Sequence, residues 1–191
     1  AATYPLPPVL GLIGKMTSQY PATHIKLSLD NMGGALERLL SDEAQLTIST
    51  LDDVSLDRVE ALPLAPVTMT PVSHPDFPAA RDDQLKTQAE MQTHVQVVVS
   101  DTSSTHQQSR GLMPGGLRWT VSDFATKKEI LLSNMGWGGI PEHMIEKELD
   151  QGKLVRLNVE GYAPVQVAHY AMRRRDVAIG IVAQAIWDQL K

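Results

Sequence analysis

Residues 127–157 read KKEILLSNMGWGGIPEHMIEKELDQGKLVRL, and the order of patterns in this stretch decides the fold class. A helix running from Asp123 to Met135 can be N-capped by Asp123 and ended by Gly136. The short apolar run GWGGI then reads as a strand. Pro141 suits the first position of a second helix that reaches Gln151 and closes on Gly152, after which residues 153–159 are strand-like again. Helix, strand, helix, strand is the alternation of an α/β fold.

The same alternation extends in both directions. Upstream, residues 94–100 and 117–122 read as strands separated by a polar loop; downstream, residues 165–172 read as a strand after Pro164. Residues 176–190 then form a helix with Val177, Ile181, Ala185 and Ile186 on one face. In the first half, Leu6, Val9, Leu10, Ile13 and Met16 recur at helical spacing, with prolines ahead of them and Pro21 as a stop. Residues 24–29 alternate with period two, the pattern of a half-buried strand. Asn31-Met32-Gly33-Gly34 opens a helix carrying Leu36, Leu39 and Leu40, and residues 45–50 are a further strand. This predicts a parallel sheet in the first half and two α/β lobes of similar content. Residues 58–64 and 67–72 are short β-prone runs, and SHPDFPAARDDQ (73–84) is expected to be a crossing between lobes.

The composition fits that reading. The chain has 191 residues, of which 42% are hydrophobic and 20% charged, so it is expected to fold as one domain or two small lobes. Lys plus Arg is 17 and Asp plus Glu is 22, so 17 − 22 = −5, which argues against direct contact with nucleic acid. Cysteine is absent, which removes disulfides, thiolate metal sites and cysteine nucleophiles. No run approaches the roughly 20 apolar residues of a membrane span. The first residues also lack the basic start of a signal peptide, so the expected location is the cytoplasm.

Several constellations fail on spacing. Gly11-Leu12-Ile13-Gly14-Lys15-Met16-Thr17 has two residues between its glycines where a phosphate loop needs four, and Met16 stands where the hydroxyl is needed. Gly136-Trp137-Gly138-Gly139 lacks dinucleotide-fingerprint spacing. The six histidines (His24, His74, His94, His106, His143 and His169) show no metal-ligand spacing, so no metal or cofactor is expected. Asp52, Asp53 and Asp57 read as a solvated turn, and Arg173-Arg174-Arg175 as a solvated helix approach, with an anion or partner contact as the alternative.

The short polar residues are distributed less evenly. Thr3 precedes the first helix, Asn31 precedes the second, and Ser49-Thr50 end a strand. Residues 100–105 (SDTSST) and Ser122-Asp123 follow strands of the second half. In open α/β sheets such strand ends and helix starts form the ligand crevice. No nucleophile, base and orienter occur together, so the crevice is expected to hold a ligand rather than transform it, with no catalytic residue.

The segments YPLPPVL, QYPATHIKLSL and ALERLL, together with residues 127–157 and VSHPDFP, resemble the effector-binding domain of LysR-type transcriptional regulators over nearly the whole chain. The resemblance implies two Rossmann-like lobes joined by two crossover strands, as in type II periplasmic binding proteins. Lobe I would be residues 1–69 and 165–191, and lobe II residues 70–164. It further implies a small-molecule effector between the lobes, a carboxylate being one candidate, and a homodimer or tetramer. DNA would be contacted only through an N-terminal winged helix-turn-helix, which these residues do not include, and the family's first strand lies upstream of Ala1. The family's pocket maps onto Thr3 and Tyr4; Asn31, Met32 and Gly33; Ser49 and Thr50; Ser100, Asp101 and Thr102; and Ser122, Asp123 and Phe124. Trp137 lies either over the cleft, between its glycines, or in the core. A stand-alone solute-binding protein of the same fold is the alternative.

Overall fold

The computed structural model describes residues 1–52, 54–104 and 111–191; Asp53, Thr105 and His106, named above, lie outside the described residues. In chain order the elements are α1 (Leu6–Gln19), α2 (Gly34–Leu40), β1 (Thr47–Ser49), β2 (Val59–Pro63), β3 (Val67–Ser73), α3 (Gln88–Met91), β4 (Gln96–Val99), β5 (Arg118–Val121), α4 (Phe124–Leu132), β6 (Trp137–Pro141), α5 (Glu146–Asp150), β7 (Val155–Arg156), β8 (Val165–Val167), β9 (Tyr170–Arg174) and α6 (Ile181–Leu190). They fall into two compact units. Unit 1 comprises Ala1–Pro66, the described part of Asp101–Gln108, and Ala168–Lys191. Unit 2 comprises Val67–Ser100 and the described part of Ser109–Val167.

In unit 1, β1 and β2 both pair antiparallel with β9, with Ile48 opposite Ala171 and Ala61 opposite Met172. Leu36 and Leu39 of α2 cover this sheet by packing on Val59 and Met172. Helix α1 starts after Pro5 with proline in its first turn, buries Met16, and packs against α6, which buries Trp187. Arg173 joins α6 to the sheet: its guanidinium pairs with Glu60 at 2.7 Å, bonds Gln184 at 2.8 Å and stacks on the Trp187 ring at 4.8 Å. Arg174 pairs with Asp42 and Asp176, and Arg175 donates to the Leu56 and Val59 carbonyls. The arginine run is therefore consumed by unit 1's own structure, not held out for an anion.

Unit 1 corrects two expectations. Residues 24–29 alternate like a strand but pair with no strand among the described residues, and Ile25, Leu27 and Leu29 are exposed, Leu29 by 60%. Alternation describes a face to bury, whereas a strand also needs a ladder partner. The described ladders of unit 1 are consequently antiparallel, not parallel.

Unit 2 is built on a mixed sheet in the order β5-β4-β6-β3-β7, with β8 also on β3. β4 runs parallel to β5 and β6, and β3 runs antiparallel to β6, β7 and β8. Helix α4 is capped by Asp123, which accepts the Thr126 N–H at 2.8 Å. One face of the sheet buries Val72, Val97, Leu131, Ile140, Ile145 and Leu154 together. A second core gathers Phe77, Met91, Met113, Trp137, Leu157 and Val159.

The helix expected over 141–151 is two pieces, a 3-10 turn at Glu142–Met144 and then α5, because Glu142 is drawn off by the Thr70 hydroxyl at 2.7 Å and by Arg156. The strand expected over 165–172 divides into β8 of unit 2 and β9 of unit 1. Residues 73–84 lie inside unit 2, where Phe77 and Ala79 are buried, and the chain leaves unit 1 between Pro66 and Val67.

Candidate functional site

Unit 1 gathers the hydroxyl-bearing positions of the first half into one continuous polar edge. The Ala1 nitrogen donates to the Ile48 carbonyl at 2.5 Å and the Ala2 N–H to the Asp30 carbonyl at 2.7 Å, which seats residues 1–4 between β1 and the start of α2. Thr3 Oγ1 lies 2.8 Å from Nε2 of His169, and the Tyr4 ring packs on the same imidazole at 5.5 Å between centroids. His169 is fully buried and directly precedes Tyr170, the register partner of the buried Ser49. Thr3, Ser49 and His169 thus converge where β1 ends, with Thr50 next in the chain.

The edge continues through buried Asn31. Its N–H donates to Thr102 Oγ1 at 3.0 Å, and the Gly33 N–H donates to the Asp101 carboxylate at 3.2 Å. Asp101 and Thr102 belong to unit 1, although they follow β4 directly in the chain. Between Asn31 and Gly33, Met32 holds φ at +46°, a left-handed conformation that costs a residue with a side chain roughly 1–2 kcal/mol. Such strain persists where surroundings over-determine it, and it often marks a ligand-contacting loop. Met32→Gly should therefore raise stability by ~0.5–1 kcal/mol, the relief being partly offset by glycine's looser unfolded chain. The denaturant midpoint checks this, and a lowered midpoint would place no strain at Met32.

The remaining second-half residues sit in unit 2. Ser100 and Ser122 follow the parallel strands β4 and β5 at their C-terminal ends, and the Ser100 N–H donates to Val121 at 2.8 Å. The Asp123 carboxylate accepts the Thr126 N–H and the Ser122 and Thr126 hydroxyls, which hold its pKa below the usual carboxylate value. Phe124 packs on the core beneath α4.

Trp137 is placed in the core. It is 0% exposed among Phe77, Met91 and Met113, edge-on to Tyr162 at 5.5 Å, with its indole N–H unbonded. Its flanking glycines serve strand packing, because a Cβ on Gly136 or Gly138 would run into β4.

His169 was missed by sequence reasoning: its partner Thr3 is 166 positions away and no local pattern joins them. Among the described residues no group of three or more His, Asp or Glu side chains is placed to hold a metal ion. A pocket of about 220 Å³ lies at the far end of α2, lined by Leu39, Gln45, Val177 and Ile179 among others, and includes none of the predicted residues.

Solved structures of low sequence identity share this architecture. The regulatory domain of NMB2055 (MetR), a LysR family regulator from N. meningitidis, superposes with a TM-score of 0.71 at 14% identity, over 95% of this chain and 85% of that one. The effector binding domain of QuiR in complex with shikimate gives 0.67 at 17% identity, over 95% and 88%. The class is therefore the two-lobed, periplasmic-binding-protein-like α/β fold.

Within that class, residues 1–191 match the model of the LysR substrate binding domain, and the chain belongs to that family. A curated relative, the HTH-type transcriptional activator AllS of Klebsiella pneumoniae, is 26% identical over 146 residues, covering 75% of this chain and 54% of its own length. The chain spans about half the length of the curated relatives it matches. Among the described residues no helix is long and apolar enough to cross a membrane.

Proposed function

We propose that this chain is the effector-sensing domain of a cytoplasmic LysR-type transcription regulator. It takes a small polar molecule, and DNA is contacted by a helix-turn-helix segment outside these residues. The observation that carries the reading is the polar edge of unit 1, where Thr3, Asn31, Ser49 and His169 come from four separate stretches of chain to one place. Convergent polar groups at strand ends are what a small-ligand site in this class requires. Ser100, Ser122 and Asp123 are assigned the corresponding part of unit 2. That QuiR's effector binding domain holds shikimate supports a small hydroxylated carboxylate as the ligand class. The reading assigns no reaction to the domain.

It also assigns self-association to α1 and the start of α6, where Leu10 and Ile181 are exposed, Ile181 by 77%, with exposed Val177 in the loop before α6. Exposed apolar side chains of this kind favour a second copy as cover.

Thermal denaturation against a library of small hydroxy acids and aromatic acids tests the sensing reading. A ligand at about 100 times its Kd adds ~2.7 kcal/mol, or roughly 5–10 °C for a chain of this size. A flat response across the library would overturn it.

A further inference from the structure

Residues 101–104, Asp-Thr-Ser-Ser, lie over the start of α2 and are held there by polar contacts. Thr102 Oγ1 accepts the Asn31 N–H at 3.0 Å and lies 3.1 Å from the Asn31 carbonyl, to which it donates in turn. The Asp101 carboxylate accepts the N–H groups of Gly33 at 3.2 Å and Ser103 at 2.8 Å. The Ser104 N–H donates to Glu37 at 2.7 Å, and its hydroxyl donates to the same carboxylate. Gly34 provides the notch for this approach, since a Cβ there would overlap Thr102 Oγ1 and press on the Thr102 backbone at 3.1 Å.

The segment contains no apolar side chain; Thr102 and Ser104 remain exposed, Asp101 is half-buried and Ser103 is buried. Its docking therefore lacks the apolar burial that fixes the rest of unit 1. A hydrogen bond contributes net about what ordering one residue costs, so the docked and released states lie close in free energy. Two states so balanced respond to any ligand that prefers one of them. The groups covered are the backbone of Asn31 and Gly33, part of the polar edge assigned above to the effector.

We propose that residues 101–104 form a releasable strap, an autoinhibitory contact that covers the Asn31–Gly33 backbone and must lift before a ligand can engage it. The importance of the strap for ligand entry rests on the sensing reading; its release does not.

Amide-resolved hydrogen exchange on the 191-residue chain tests the release. The amides of Asn31, Gly33 and Ser104 should share one opening rate and exchange at least tenfold faster than that of Leu39, buried in α2. In the double variant Asp101→Ala/Thr102→Ala these amides should lose protection while Leu39 keeps its own. Exchange of the strap-bonded amides at the Leu39 rate in the unmodified chain would overturn the proposal, whether or not the double variant folds. No ligand is involved, so strap release alongside an empty ligand screen would sink the sensing reading and leave the strap standing. Ligand binding with a strap that never opens would do the reverse.

Discussion

Replacing Lys127 with methionine should stabilise the chain at pH 7 by on the order of 4 kcal/mol. Lys127 lies in α4, is only 4% exposed, and makes no ion pair among the described residues; its amine is 5.9 Å from the centre of the Phe124 ring and lies over Gly138 of β6. Burial lowers its pKa to about 7. In the unfolded chain the same amine titrates near 10.4. Between those values the unfolded state holds the proton more tightly, so unfolding takes up a proton and stability rises with pH.

The cost is fully present below pH 7 and disappears as pH rises towards the unfolded value. Methionine removes the charge, keeps the length and suits an irregular apolar gap. The gain should shrink to ~1 kcal/mol by pH 9.5. Denaturant melts of both chains at the two pH values measure the difference directly. Equal stability at pH 7, or a gain that grows with pH, would contradict the buried, unpaired amine.

The second large effect separates two adjacent glycines of the stretch that defined the fold class. A Cβ on Gly138 would lie 2.6 Å from the Val97 carbonyl oxygen of β4 and 3.1 Å from the Lys127 amine, whereas a Cβ on Gly139 would meet nothing within 4 Å. The lysine end can swing away. The carbonyl belongs to the neighbouring strand, and moving it breaks the parallel seam between β4 and β6. Gly138→Ala should therefore cost ~3 kcal/mol or more, at the upper end of overpacking penalties. Gly139→Ala should change stability by less than ~0.5 kcal/mol. Similar melting temperatures for the two variants would show that β4 and β6 are not packed as described.

What could be read in advance depended on how local each element's causes are. Helix α4 and strand β6 were legible because Asp123, Gly136 and the apolar run between the two glycines act over a few residues. Helix α2 and strand β1 were legible for the same reason. Residues 24–29 misled because alternation was the whole signal and a pairing partner is never local. Residues 141–151 misled because Glu142 answers to Thr70 and Arg156, one of them 72 positions away. The site divided in the same way: short polar residues ahead of helices and at a strand end singled out Thr3, Asn31 and Ser49 as candidates, while His169, the strap's contacts on Asn31–Glu37 and the burial of Trp137 depend on contacts that no short window contains.

Amide-resolved NMR of the isotope-labelled chain, titrated with shikimate and then with a panel of small hydroxy acids and aromatic acids, tests the sensing claim most directly. The expected result is saturable shifts concentrated at Thr3, Asn31, Gly33, Ser49 and His169, with the core amides of Leu39 and Val97 unmoved. Saturable binding that leaves the polar edge of unit 1 untouched, or no saturable binding across the panel, would contradict it.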